Sequence, residues 1–197
     1  MMRAPRFKVV VAPDSFKESL SAAQVAAAIS EGVRLAAPHA EVHSLPMADG
    51  GEGSLDAVLA ATGGERRRAT VRDAIGRNCE AAWGWLGEHT AFIEMAEAAG
   101  LERITPGLRD PLRASTFGVG QLVLQALDAG ARRVVLGLGG SATTDAGAGL
   151  FQALGARLFD DEGADLPPGG GALHRLAGID LYHLDPRLAD TQFEIAV

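Results

Sequence analysis

The sequence predicts an α/β fold, and three observations predict it. Candidate strands stand at residues 7–12 (FKVVVA, a short β-branched run), 41–45 (EVHSL) and 133–138 (RVVLGL). Each is followed by a loop of small and polar residues, and each loop by a stretch of helical character. Glycine supplies 25 of the 197 residues with no Gly-X-Y period, and it gathers in tight clusters after apolar runs. The expected building block is therefore a strand, a glycine-rich loop and a helix.

In chain order, residues 7–12 read as a buried strand. Ser21 with Gln24 three positions on makes a capping box, and Val25, Ile29, Val33 and Ala36 follow at helical spacing until Pro38. Residues 41–45 form a second strand, ended by Pro46 and the loop MADGGEGS. A short helix over 55–61 is opened by Ser54 and closed by Gly63 and Gly64. Residues 66–72, 79–86 and 90–95 have strand character, with a hairpin turn near 87–89. From Ser115, itself a natural cap, the stripe Val119, Leu122, Val123, Ala126 and Leu127 marks a helix ending at Gly130. The strand 133–138 leads into GGSATTDAGAG and a helix through Leu154, closed by Gly155. Residues 156–159, the turn DDEG and the run PPGGG precede weaker structure. Residues 192–197 (QFEIAV) read as a strand that stops in mid-pattern, so the chain is expected to be the front part of a longer protein. The change of character after Gly64 places an expected boundary there: residues 1–62 begin one domain, and 63–197 form a second.

Composition narrows the function classes. A net charge of −7, with two Trp, one Tyr and seven Phe, argues against a nucleic-acid partner, which needs clustered Lys/Arg and stacking rings. The lone Cys79 can make neither an internal disulfide nor a cysteine-based zinc site. No apolar run has the length of a membrane helix, and the run at 9–12 is too short for a signal-peptide core. The expected compartment is the cytoplasm, with no membrane partner.

Three loops carry the candidate chemistry. In an open parallel sheet, ligands bind outside the carboxyl ends of the strands, so a parallel sheet would bring all three to one edge. The first, residues 137–149 (GLGGSATTDAGAG), suits phosphate: Gly139 and Gly140 allow close approach, and the helix amides point toward an anion. Ser141, Thr143 and Thr144 add hydroxyls, and Asp145 is the candidate Mg²⁺ ligand. The competing explanation is a tight turn with Thr144 or Asp145 as a helix cap. Gly137, Gly139 and Ala142, with Asp160 further on, also fit a relaxed dinucleotide fingerprint; the alternative function is thus a nucleotide- or dinucleotide-binding module without group transfer. No Lys-Ser/Thr pair follows, so this is not a P-loop.

In the second loop, residues 12–19 (APDSFKES), Asp14 directly follows a strand, where a base is well placed. Ser15 can bond a ligand, and Lys17 is one of only two lysines beside sixteen arginines, a candidate anion binder. In the third, residues 48–54 (ADGGEGS), Asp49 and Glu52 flank two glycines, an arrangement suited to metal coordination, hydroxyl recognition or helix capping. Arg113 can meet phosphate. Glu94 and Glu97 either face the same cleft or are surface charges. Ser141 lacks a G-x-S-x-G elbow, and His39 and His43 straddle a helix end and a strand, so neither a hydrolase nor a histidine metal pair is indicated.

Taken together, the segments VVVAPDSFKESLSA (9–22), PMADGGEGSLDAV (46–58), IEMAEAAGLERI (93–104), the run 110–160 and LPPGGGAL (166–173) resemble the glycerate kinase family of the bacterial glycerate 2-kinase type. The resemblance is collinear over nearly the whole chain. It implies two α/β domains with the active site in the cleft between them. It also implies ATP- and Mg²⁺-dependent phosphorylation of D-glycerate, 2-phosphoglycerate being the expected product. Asp14, Lys17 and Asp49 are then the catalytic candidates, and Ser15, Glu52 and Arg113 the substrate-binding ones. Gly139, Gly140, Ser141 and Thr144 are the nucleotide-phosphate candidates, with Asp145 at the metal. Family members are roughly twice as long, so the rest of the first domain is expected beyond residue 197, with the unfinished final strand or a homo-oligomer contact as a route to association.

Overall fold

The computed structural model describes residues 7–16 and 19–197. The chain divides into two compact units, Met1–Asp49 and Gly50–Val197.

In the first unit, strand β1 (Lys8–Val11) pairs in parallel with β2 (Glu41–Ser44), joined by helix α1 (Ala22–Ala36). The capping box forms: the Gln24 amide donates to the Ser21 hydroxyl at 3.3 Å, and the Ser21 amide to the Gln24 side chain at 2.9 Å. The buried residues of α1 are Val25, Ala26 and Ser30, whereas Ile29 from the expected stripe is 44% exposed. Two strands make too small a sheet to cover that stripe.

The second unit is built on a five-stranded mixed sheet ordered β3 (Glu65–Arg72), β4 (Asn78–Gly87), β5 (Thr90–Glu94), β6 (Arg133–Gly137) and β9 (Gln192–Ala196). The first two pairings are antiparallel and the last two parallel. Gly87, Glu88 and His89 all take positive φ, which makes the tight β4–β5 turn where the sequence places it. Helix α2 (Ser54–Thr62) packs on one face, against β4 and β5, burying its Leu55 with Ala82 and Phe92 of those strands. Helix α4 (Phe117–Asp128) covers the other face, burying Val119, Leu122, Val123 and Ala126 against Val71, Ile93 and Val134. The short α3 (Ala96–Ala99) follows β5, and α5 (Ala148–Ala153) lies against α4. A small antiparallel pair, β7 (Arg157–Phe159) with β8 (Gly178–Asp180), has its own cluster of Leu158, Leu166 and Ala172.

Two expectations are revised here. The loops do not all follow strands of one parallel sheet: two follow β1 and β2, and the third follows β6 of the mixed sheet. Residues 50–62, grouped with the first domain by composition, stand in the second unit, because α2 buries Leu55 on β4 and β5. Among the described residues, no helix is long and apolar enough to cross a membrane.

Candidate functional site

In the first unit, the loops leaving β1 and β2 run side by side, because parallel pairing continues past both strands. The Leu45 amide donates to the Val11 carbonyl and the Met47 amide to the Pro13 carbonyl, each at 2.8 Å. Asp14 and Asp49 thereby leave the same edge of this small sheet, both exposed. The Asp14 carboxylate takes the amide of the next residue, Ser15, at 2.6 Å. Lys17 lies outside the described residues.

In the second unit, residues 50–53 and the loop after β6 are pressed together. The Gly139 amide donates to the Gly50 carbonyl at 3.1 Å. A Cβ at Gly139 would overlap the Gly51 backbone, and one at Gly140, where φ is +69°, would overlap the Glu52 carboxylate. The missing side chains are thus consumed by contact between two protein segments, a use of glycine that composition cannot distinguish from room for phosphate. Glu52 is half-buried there.

The structure corrects the reading of Asp145 as a metal ligand. Its carboxylate is 1% exposed and fully engaged. One oxygen accepts the Thr116 amide at 2.8 Å, the Thr116 hydroxyl at 2.9 Å and the Gly149 amide at 3.1 Å; the other accepts the Gly147 amide at 3.1 Å. No open position is left for an ion, so Asp145 does not fit that role. The expected anion site at the α5 N-terminus is corrected for the same reason. The Ala148 amide donates to the Asp145 carbonyl, Gly149 to its carboxylate and Leu150 to the Thr116 hydroxyl, so the first three helical amides are already paired. The dinucleotide alternative also loses its acid: Asp160 is buried and accepts the Ala164 amide at 2.8 Å within its own turn.

The donors left for a phosphate lie earlier in the loop. The Ser141 and Thr143 hydroxyls are half-buried and 2.7 Å apart. Among the described residues, no hydrogen bond uses the Gly140 or Ser141 amide. Thr144 instead donates its hydroxyl to the Pro111 carbonyl at 2.9 Å. Arg113, two residues beyond Pro111, is exposed and makes no side-chain hydrogen bond or ion pair among the described residues. The PPGGG run packs behind it, with the Gly171 amide on the Leu112 carbonyl at 2.9 Å.

Two functional carboxylate relationships escaped sequence reasoning. Ser54 does not open α2; its buried hydroxyl has no partner among the described residues. Glu94, from the end of β5, does so instead, accepting the Leu55 amide at 2.9 Å and the Gly53 amide at 3.3 Å. Burial, aided by the nearby carboxylates of Glu97 and Glu52, pushes Glu94 up to about 7. Its signal in the sequence is a carboxylate ending an apolar strand, in IEMAE. At α4 the Ser115 hydroxyl accepts the first helical amide, Phe117, at 3.2 Å, as the cap expectation has it, and Asp145 holds the preceding residue, Thr116, by its amide and hydroxyl. Among the described residues, no group of three or more His, Cys, Asp or Glu side chains is assembled for a metal ion.

Strands, strand-end loops and covering helices in both units define an α/β protein. Comparison with known proteins narrows that class. The Glycerate kinase family matches residues 9–197. Glycerate 2-kinase from Escherichia coli (strain K12) is 51% identical over 190 residues, which is 96% of this chain and 50% of that protein. Glycerate kinase from Bacillus subtilis (strain 168) is 48% identical, with the same coverage of 96% and 50%. A crystal structure assigned as glycerate kinase 2 from Salmonella typhimurium LT2 superposes with a TM-score of 0.79 at 49% identity, covering 96% of this chain and 52% of that one. The chain belongs to the glycerate kinase family, and it spans about half the length of the curated relatives it matches.

Proposed function

We propose that this chain contributes to ATP- and Mg²⁺-dependent phosphorylation of D-glycerate, with 2-phosphoglycerate as the product. The observation that carries this reading is the 51% identity to a glycerate 2-kinase over 96% of the chain. Because the match covers half of each relative, the active protein in this reading includes a second half like theirs.

Phosphoryl transfer asks the protein mainly to position reactants and offset charge. Asp14 and Asp49, exposed at one edge of the β1–β2 sheet, are the candidates to orient the attacking hydroxyl and accept its proton. Ser15, Glu52 and Arg113 are assigned to glycerate, and Lys17 to offsetting charge on glycerate or the transferred group. The nucleotide phosphates are assigned to Gly139, Gly140 and Ser141, with Thr143 joining through its hydroxyl; Thr144 shapes the loop through Pro111. Mg²⁺ neutralises the phosphates when bound with the nucleotide, and no residue of this chain is assigned to it.

ADP release with ATP, Mg²⁺ and D-glycerate, measured against a blank without glycerate, tests the reading. Glycerate-dependent ADP supports it, and identification of the product by NMR separates the 2- from the 3-phosphate. ATP binding without glycerate-dependent turnover, in the chain and in a form extended to the length of its relatives, would overturn it.

A further inference from the structure

We propose that Glu94 is a positioning residue for the segment that carries Glu52, acting through the amides of Gly53 and Leu55. The proposal rests on the reading above in one respect, that Glu52 meets the substrate.

Residues 50–55 are held at two ends. At the front, the Gly50 carbonyl takes the Gly139 amide at 3.1 Å, and Gly137 and Gly139 have no room for a Cβ beside it. At the back, Glu94 takes the Leu55 and Gly53 amides at 2.9 and 3.3 Å. Glu52 stands between these fixed points. Helix α2 has no cap of its own, since its N-cap is Gly53 and the Ser54 hydroxyl is unpartnered among the described residues. Among those residues, Glu94 therefore supplies the only side-chain acceptor at that helix start. Its pairing is dry: Glu94 is 4% exposed and Leu55 1%, where a hydrogen bond is strong and an unmet amide costly.

The same carboxylate is tied to the glycine loop by sheet register. Glu94 pairs with Gly137 across β5 and β6, and the next amide, Met95, donates to the Gly137 carbonyl at 3.0 Å. The charged groups around Glu94 are Glu52 from the segment, Glu97 from α3, and Glu102 with Arg103 from the turn after α3, which together line a cavity of about 210 Å³. Glu97 is itself engaged with the Ala82 amide at 3.0 Å and Arg103 at 3.4 Å, so it is not free to replace Glu94. Glu94 thus locks the segment through its backbone amides.

The test uses Glu94→Ala and Glu94→Gln in the folded chain, followed by amide exchange and steady-state kinetics. Exchange of the Leu55 amide is expected to quicken at least tenfold in Glu94→Ala, with Gly139 following because the segment is held at both ends. Glu94→Gln, which keeps one acceptor oxygen, recovers much of the Leu55 protection. KM for D-glycerate rises about tenfold in Glu94→Ala while kcat stays within threefold. Unchanged Leu55 and Gly139 exchange would overturn the proposal, as would a fall in kcat with KM unchanged. Absence of glycerate turnover in the wild type, both as this chain and in a form extended to the length of its relatives, counts against the functional reading alone, because the exchange data decide the role of Glu94 independently.

Discussion

The Asp145 carboxylate accepts both the amide and the hydroxyl of Thr116, at 2.8 and 2.9 Å, and so ties the glycine loop to the start of α4. Thr116 in turn receives the Leu150 amide at 2.9 Å, so a single buried pair caps the start of α5 while anchoring the residue that precedes α4.

Removing that carboxylate leaves several buried amides without an acceptor. Asp145→Ala is expected to cost about 3–5 kcal/mol of stability, and Thr116→Val about 1–3 kcal/mol. The double variant costs less than their sum, because the two residues share the same bonds. Urea unfolding followed by the fluorescence of Trp83 and Trp85, both on β4, measures this. A loss below about 1 kcal/mol for Asp145→Ala would contradict the role.

A metal ligand and a loop clamp also differ spectroscopically. The Mn²⁺ affinity of the nucleotide-loaded protein, read from the EPR signal of free Mn²⁺, is expected to stay within about threefold of wild type in Asp145→Asn, since the carboxylate is taken up by amides and a hydroxyl. A fall in Mn²⁺ affinity of about tenfold or more would restore Asp145 to the metal.

Glu94 sets a pH dependence of stability. Its proton is held up to about 7 in the folded chain, against 4.5 as the ordinary value. Between those values the unfolded chain binds fewer protons than the folded one, so stability falls as pH rises from 4.5 and levels off above about 7. The contribution is roughly 3 kcal/mol across the window. Unfolding measured from about pH 4.5 to 8 should show this slope in the wild type and lose it in Glu94→Gln. An identical slope in both would assign it to other groups.

Gly140→Ala meets two obstacles, a φ of +69° and the Glu52 carboxylate. Its expected cost is about 1–3 kcal/mol. Gly163→Ala, at φ +80° with open space around it, carries the backbone strain alone and should cost less. Pairing Gly140→Ala with Glu52→Ala should recover the difference. Failure to recover it would place the strain elsewhere.

In the functional reading, Asp14→Asn is expected to lower glycerate-dependent turnover about 10²–10⁴-fold, the usual worth of general acid–base catalysis. Turnover unchanged in that variant removes Asp14 from the mechanism.

Features encoded within a few residues are legible in the amino-acid sequence. The Ser21–Gln24 capping box, the 87–89 turn and the α4 stripe all appear where spacing puts them. The glycine loop is legible as a special segment but not in its detail. Its glycines make room for residues 50–52, and its aspartate serves Thr116, partners separated by tens of residues. Ser54 shows the same limit from the other side: a sound local cap signal lost to Glu94, which lies 39 residues beyond the Leu55 amide it accepts.

The order and type of most elements, the collinear family motifs and the candidate carboxylates are all written in the chain, because caps, turns and apolar periodicity act over one or two turns of backbone. Folding in three dimensions settles the rest: β9 joins β6 in a mixed sheet, α2 belongs with that sheet, and Asp145 and Glu94 hold segments rather than stand open. Those outcomes depend on which buried polar groups meet once the sheet closes. A carboxylate in a dry interior must take its hydrogen bonds from whatever amides the fold brings within reach.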